Sequence, residues 1–407
     1  DAAELVVGRV DGKVVTLASS VRAFREIETI FDLFDYNVNQ MVDALADPAD
    51  VIAKDSILWD VFEKYRATGL ANLAAETADM PPLESARLSA LVAEEMGWGD
   101  SGLAVSLSVS SFHQTFALMS GRPDLVERWC APGSQDIGCW AVTEPDHGSD
   151  TLTVSEPHFS DPSIRANCIA VRDGDSYVIN GQKSAWVSNG TIANVAALFC
   201  TIDGDEGFKG GGVAVVDLTL PGVTKGKPLD KIGQRALNQG EIFFDDVRVP
   251  AGNMVVGKEL YGATVEQILT GANAWMGVTF AGVARAAYEL AADYARTRVQ
   301  GGVPIIEHQS VKSRLFKMFM RVEAARGFAR RVLCHNTVNP GLIQYSIASK
   351  VFCTTTAFEV ASEALQIFGG NGLTKEFPIE KLVRDARASM IEDGCNELLG
   401  LVAASRL

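Results

Sequence analysis

The chain has 407 residues, 47% of them hydrophobic and 21% charged, with 51 Asp and Glu against 36 Lys and Arg for a net charge of −15. That length predicts two to three domains, and that composition supports a packed core and excludes a disordered chain. A surface of this sign repels phosphate, which excludes nucleic acid as the main partner.

Residues 1–138 carry helical periodicity, as in Leu58, Val61, Phe62 and Tyr65 and again in Leu88, Leu91, Val92 and Met96. An N-terminal helical domain is expected there. Asp47-Pro48 and Met80-Pro81-Pro82 punctuate its helices. Ahead of them, residues 5–10 and 13–17 flank Asp11-Gly12, a turn dipeptide between two β-like runs, which predicts a small hairpin. The sequence opens on Asp1 rather than Met, so a trimmed N-terminus is expected, and no charged-then-apolar leader is read at its start.

From 139 to 251 the texture turns to β. Residues 167–172 and 176–180 flank Asp173-Gly174-Asp175 as a second hairpin, and 195–201, 212–218 and 241–244 are further short strands between Gly- and Asp-rich turns. Short strands at this spacing predict a small barrel or sandwich. From 252 to 407 the chain is helical again. Residues 268–297, 310–338 and 342–368 are long periodic segments, broken by Gly301-Gly302 and Asn339-Pro340-Gly341, a block the size of a four-helix bundle. The uncharged stretch 267–284 holds Thr270, Gly271, Asn273, Gly277, Thr279 and Gly282. It is too polar for a lipid-facing span and suits a buried helix. The class is α+β.

The seven cysteines (Cys130, Cys139, Cys168, Cys200, Cys334, Cys353 and Cys395) are scattered and never form a Cys-x-x-Cys pair. They read as reduced thiols of a cytoplasmic protein. The five histidines lack ligand spacing, so no metal is expected.

The run Ala141-Val142-Thr143-Glu144-Pro145-Asp146-His147-Gly148-Ser149-Asp150 packs hydroxyls, a backbone-exposing Gly and carboxylates into one loop leading out of a strand. Such a loop can hydrogen-bond a polar ring edge or a pyrophosphate; on its own it reads equally as a polar turn. Four further stretches follow in order. They are Asn180-Gly181-Gln182-Lys183 with Trp186-Val187-Ser188-Asn189, and Gly233-Gln234-Arg235 with Phe243-Phe244-Asp245-Asp246-Val247-Arg248-Val249-Pro250. Then come Arg298 with Glu307-His308-Gln309, and Gln366, Gly369, Gly370, Gly372 and Leu373 followed by Glu376, Lys381 and Asp385. In this order the five stretches resemble the acyl-CoA dehydrogenase family across residues 90–397. The resemblance implies an N-terminal helical domain, a middle β-barrel and a C-terminal four-helix bundle, assembled as a homotetramer around FAD.

The same resemblance implies roles for individual residues. Trp140, Val142, Thr143, Gly148 and Ser149 line the flavin and its pyrophosphate, while Trp186 and Ser188 approach the ring, Ser188 standing where Thr is usual. Arg298, Gln309, Gln366, Gly369 and Gly370 reach the FAD of a neighbouring subunit. Taken alone, these five are a helix-end Arg, helix-surface Gln residues and a helix C-cap. Cys395 and Glu397 fall among the cofactor contacts, Cys395 replacing the usual Thr and lacking a partner thiol for redox work. Ser149, Asn273 and Gly394 fall among the substrate contacts.

In the family the catalytic Glu lies 27 residues beyond the Gln of the second signature. Here that position is Asp393, in Ile391-Glu392-Asp393-Gly394-Cys395-Asn396-Glu397. A carboxylate beside an apolar ring has its pKa raised by desolvation towards that of an acidified α-proton. Asp reaches about 1.5 Å less far than Glu, and a misplacement of about 1 Å costs on the order of 100-fold in rate. Without the resemblance, Asp393 is the N-cap of an Asp-Gly turn. Glu392 is a second candidate base if the loop shifts by one residue. Relatives with the base on the central helix have Glu where this chain has Ala272, with Arg common where Asn273 stands and Trp275 nearby as a size filter.

The implied reaction is α,β-dehydrogenation of an acyl-CoA. Asp393 takes the α-proton as hydride leaves for the flavin, the thioester oxygen being held by a flavin ribityl hydroxyl and the N–H of Asp393. Electrons then pass to an electron-transfer flavoprotein. The Asp raises three alternatives: an Asp-base relative acting on cyclic carboxyl-CoA substrates, a nitroalkane-oxidase-like flavoenzyme, and a non-catalytic FAD-binding subunit.

Overall fold

The computed structural model describes residues 6–10, 13–16, 47–73, 77–131 and 133–407. Strands β1 (Val6–Val10) and β2 (Lys13–Thr16) pair antiparallel as the expected hairpin, with Asp11-Gly12 outside the described residues. Helices α1 (Pro48–Val51) and α2 (Ile57–Ala67) follow. The Ser56 hydroxyl caps α2 by accepting from Leu58 N at 3.2 Å, and its expected stripe Leu58, Val61, Phe62 and Tyr65 is buried. Helix α3 (Pro82–Gly99) starts on Pro at its first position, where the missing N–H costs nothing. Helix α4 (Ser101–Val109) is capped by Asp100, which accepts from Leu103 N at 2.8 Å. It is buried on almost every side, so no helical stripe marks it in the sequence. Helices α5 (Phe112–Met119) and α6 (Pro123–Trp129) complete the segment.

The middle of the chain is β-rich, built on one eight-stranded sheet. Its strands are β3 (Gly138–Ala141), β4 (Ile169–Asp173), β5 (Ser176–Lys183), β6 (Val195–Ile202), β7 (Gly211–Asp217), β8 (Val223–Lys225), β9 (Ile242–Pro250) and β10 (Met254–Val256). The path runs β10-β7-β6-β4-β5-β9-β8, with β3 beside β6. Strand β6 is buried throughout, has parallel neighbours in β3 and β4, and accordingly reads as a continuous apolar run rather than an alternating one. The β4–β5 hairpin turns at Asp173-Gly174-Asp175 as expected. Strands β8 and β10 are three residues each, too short for a period to show, and β9 runs six residues past the expected 241–244.

Helix α7 (Lys258–Thr297) runs the length of the C-terminal part and packs on α3, α8 (Gln309–Val338) and α9 (Ile343–Phe368). The small β11 (Val299–Gln300) and β12 (Val303–Pro304) hairpin separates α7 from α8. Helices α10 (Ile379–Ser389) and α11 (Asn396–Ala404) dock on α9. Most of the uncharged stretch 267–284 is buried in this interface. A Cβ on Gly282 would lie 2.1 Å from Glu94 O, so only glycine lets α7 approach α3 here. At the same crossing the wholly buried Glu94 carboxylate receives Arg285 Nη1 at 2.9 Å, Arg326 Nε at 2.8 Å and Arg330 Nε at 2.6 Å. Among the described residues no helix is long and apolar enough to cross a membrane.

Candidate active site

Strand β3 delivers the 142–150 loop, and a buried ion pair fixes its shape. Lys183 on β5 donates to Val142 O at 2.9 Å and to Glu144 Oε1 at 2.5 Å. The other demands on Glu144 come from the N–H groups of Asn167 and Cys168. Ser184 N donates to Thr143 O at 2.9 Å, so the loop is tied along β5. Both oxygens of the carboxylate are engaged, as its burial requires. Glu144→Gln is expected to leave Lys183 without its counter-charge and cost about 2 kcal/mol, read as a lower thermal midpoint with weaker cofactor retention.

The segment after β5 closes on this loop. Ser188 bridges to Trp140 of β3 and to Gln239, whose side chain donates to Trp186 O at 3.2 Å. Gln239 also accepts from Lys231 Nζ at 2.8 Å. Lys231 is itself pushed down to about 8 by burial. Trp186 is 58% exposed, and Trp140 Nε1 is buried without a hydrogen-bond partner among the described residues. An exposed indole beside a hydroxyl loop fits a flat ligand with hydrogen-bonding edges.

The second half of the site is the turn between α10 and α11. Asp393 sits at φ 53° and Gly394 at φ 92°. Asp tolerates the left-handed region, whereas a side chain on Gly394 would meet Leu399 at 2.8 Å. Cys395 N donates to Ser149 Oγ at 3.0 Å, which joins the 142–150 loop to this turn across the domain boundary. The two adjacent carboxylates differ. Glu392 accepts from Gln234 Nε2 at 2.6 Å, and burial followed by repulsion from Asp393 pushes it up to about 7. Asp393 accepts no hydrogen bond among the described residues; it is half-buried, and desolvation pushes it up to about 6 against the pull of Lys350. Gln234 is held in turn by its N–H on Asp385, which pairs with Lys381 at 2.5 Å; Lys381 also reaches Asp100 at 2.8 Å.

Trp140, Val142, Thr143, Ser149, Ser188, Asp393, Gly394 and Cys395 thus belong to segments tied together by direct bonds, and exposed Gly148 lies in the same loop. Exposed Glu397 lies just beyond, in α11. Arg298, Gln309, Gln366, Gly369 and Gly370 are all exposed on the C-terminal helical part. The Arg298 and Gly369-Gly370 ends are linked by Tyr294, which stacks on Phe368 at 4.1 Å and accepts from Asn371 at 3.0 Å. Asn273 is wholly buried, its amide donating to Leu269 O and its Oδ1 without a partner among the described residues, while neighbouring Ala272 is half-buried. The sequence reading missed Lys350, Lys231 and the Lys183–Glu144 pair. The signal for Lys350 was a lone Lys in the apolar face Ile347, Cys353, Ala357 of a long helix.

Residues 139–247 match the acyl-CoA dehydrogenase middle domain, and 263–407 match the acyl-CoA dehydrogenase C-terminal domain. Cyclohex-1-ene-1-carbonyl-CoA dehydrogenase of Geobacter metallireducens is 31% identical over 324 residues, covering 78% of this chain and 81% of that one. The short-chain specific acyl-CoA dehydrogenase of Megasphaera elsdenii is 31% identical over 322 residues, covering 78% and 80%. Among solved structures, butyryl-CoA dehydrogenase from Megasphaera elsdenii matches with a TM-score of 0.80 at 26% identity, covering 93% of this chain and 96% of that one. With both domain patterns in order and relatives matched along three quarters of its length, the chain belongs to the acyl-CoA dehydrogenase family.

Proposed function

We propose that the protein is an FAD-dependent dehydrogenase that introduces a double bond between the α- and β-carbons of an acyl-CoA thioester, with Asp393 as the base. The observation that carries this reading is the contrast between the two carboxylates. Glu392 is engaged by Gln234, whereas Asp393 accepts no hydrogen bond among the described residues, is pushed up to about 6, and lies next to the peptide that joins the Ser149 loop. When bound, FAD accepts the hydride leaving the β-carbon. The 140–149 and 186–188 loops would hold it. Asp393 takes the α-proton as the β C–H electron pair departs, and the N–H of Asp393, which has no backbone acceptor among the described residues, is available to the thioester oxygen.

Arg298, Gln309, Gln366 and the Gly369-Gly370 turn are exposed, which suits contacts to a cofactor in another copy of the chain. Phe316, Phe319 and Met320 form an uncovered apolar stripe on α8, the first 61% exposed, which supports a homotetramer. The domains are taken as 1–138, 139–251 and 252–407, the acceptor as an electron-transfer flavoprotein, and the compartment as the cytoplasm. Light scattering should give a tetramer; a monomer that keeps one FAD per chain would contradict the shared site.

Two acyl classes fit this reading. The Megasphaera relative supports short linear chains, and the Geobacter relative, named for a cyclic carbonyl-CoA, supports ring substrates. Anaerobic titration of the purified yellow protein with butyryl-CoA and with cyclohex-1-ene-1-carbonyl-CoA separates them, because only a substrate bleaches the flavin band. Oxygen consumption with a nitroalkane would instead identify the oxidase, and FAD binding with no bleaching by any thioester would identify a non-catalytic subunit.

A further inference from the structure

We propose that Lys350 is a positioning residue for the base loop, its buried ammonium both clamping the Gly394–Cys395 peptide and setting a positive charge against Asp393. This rests on Asp393 being the base. Lys350 lies inside α9 with no exposure, and its Nζ donates to Gly394 O at 2.8 Å and to Asn396 Oδ1 at 2.8 Å. Gly394 C=O and Cys395 N–H are the two ends of one peptide group. Lys350 holds the first, and Ser149 Oγ accepts from the second at 3.0 Å. The peptide following Asp393–Gly394 is therefore gripped from the helical bundle on one side and from the β-rich domain on the other. Asn396 is pinned as well, by Nδ2 donating to Thr354 Oγ1 at 3.0 Å and by its N–H on Met390 O at 3.0 Å. Thr354 lies one turn beyond Lys350 on the same buried face of α9.

Hydrogen bonding alone does not call for an ammonium here. A neutral amide could donate to both oxygens, while a buried ammonium carries a desolvation penalty that two neutral acceptors do not offset. The compensation is the acidic loop that Lys350 faces: Asp393 first, then Glu392 and Glu397. Burial pushes Lys350 down to about 8 and Asp393 up to about 6. Between those values the lysine is charged and the aspartate ionised. On the far side, Glu392 is answered by Gln234, and Lys231 adds a second, weaker positive charge after Lys350. The charge facing Asp393 itself is that of Lys350.

The test is the pH dependence of flavin reduction by butyryl-CoA, or by cyclohex-1-ene-1-carbonyl-CoA if that is the substrate that bleaches, in anaerobic stopped flow. Lys350→Met, which keeps the aliphatic stem, should move the acid midpoint upward by about one unit or more. At pH 5.5 its rate, normalised to its own alkaline plateau, should then be about tenfold below the parent protein. Raising the pH should restore part of the loss, which a purely structural defect would not allow. Lys350→Gln is the second variant: its neutral amide can still donate to the Gly394 and Asn396 oxygens, so it removes the charge while keeping a clamp, and should shift the midpoint the same way even if Lys350→Met fails to fold. FAD content and thermal midpoint are recorded for each. If a folded variant keeps the parent midpoint while Asp393→Asn is inactive, the inference fails and the base assignment stands. If Asp393→Asn keeps the parent rate, the base assignment fails, and the inference with it.

Discussion

Asp393→Asn is expected to retain FAD and to reduce it with acyl-CoA on the order of 100- to 10,000-fold more slowly, the usual cost of losing a general base. The amide is nearly isosteric, so the left-handed turn at φ 53° and the Lys350 and Ser149 contacts to the neighbouring peptide survive. What is lost is the unpartnered carboxylate. For the unmodified protein the base must be deprotonated, and desolvation places Asp393 at about 6. Activity should therefore rise through pH 6 and fall about tenfold for each unit below it. Glu392→Gln is the control. Its carboxylate already accepts from Gln234 at 2.6 Å, so substitution should cost far less than at Asp393. A parent rate in Asp393→Asn together with a dead Glu392→Gln would move the base by one residue. Asp393→Glu distinguishes the substrate classes: a pocket for linear chains should tolerate the added reach, whereas one filled by a ring should bind substrate less well.

Glu94→Ala is expected to destabilise the chain by about 3–5 kcal/mol, the cost of removing one partner from a buried charge cluster. Glu94 has no exposed surface and is the shared acceptor for Arg285 on α7 and for Arg326 and Arg330 on α8. Its removal leaves three guanidinium groups converging on a void. Arg285 retains Glu95 at 2.6 Å, and Arg326 retains Glu323 at 2.6 Å, so the loss should fall mainly at the junction of α3 with α7 and α8. A denaturant midpoint unchanged within the error of a surface substitution would show that the cluster does not hold these helices together.

Much of the architecture was legible in the sequence because its long elements are amphipathic. The 342–368 reading lies within one residue of α9 at either end, and that of 310–338 within one residue of α8. The Asp-Gly turn dipeptides located both β1–β2 and β4–β5. Helix α4 and strands β8 and β10 escaped because a helix buried all round and a three-residue strand carry no period. The family and the position of Asp393 were likewise readable, since ordered motifs and ungapped spacing are properties of a linear chain.

What that spacing left open was which of two adjacent carboxylates is free to act. The answer depends on Gln234, which is 158 residues from Glu392 in sequence and 2.6 Å away in space. The same holds for Lys350, 44 residues from the Gly394 carbonyl it clamps, and for Ser149, 246 residues from Cys395. Periodicity and spacing record what each segment does alone; hydrogen-bond partners, desolvation and the charge around a carboxylate arise only when separate segments are brought within a few ångströms. The sequence by itself determined the fold class, the family and the loop that holds Glu392 and Asp393, and only the tertiary structure decided which of the two carboxylates accepts no hydrogen bond among the described residues and what holds the loop in place.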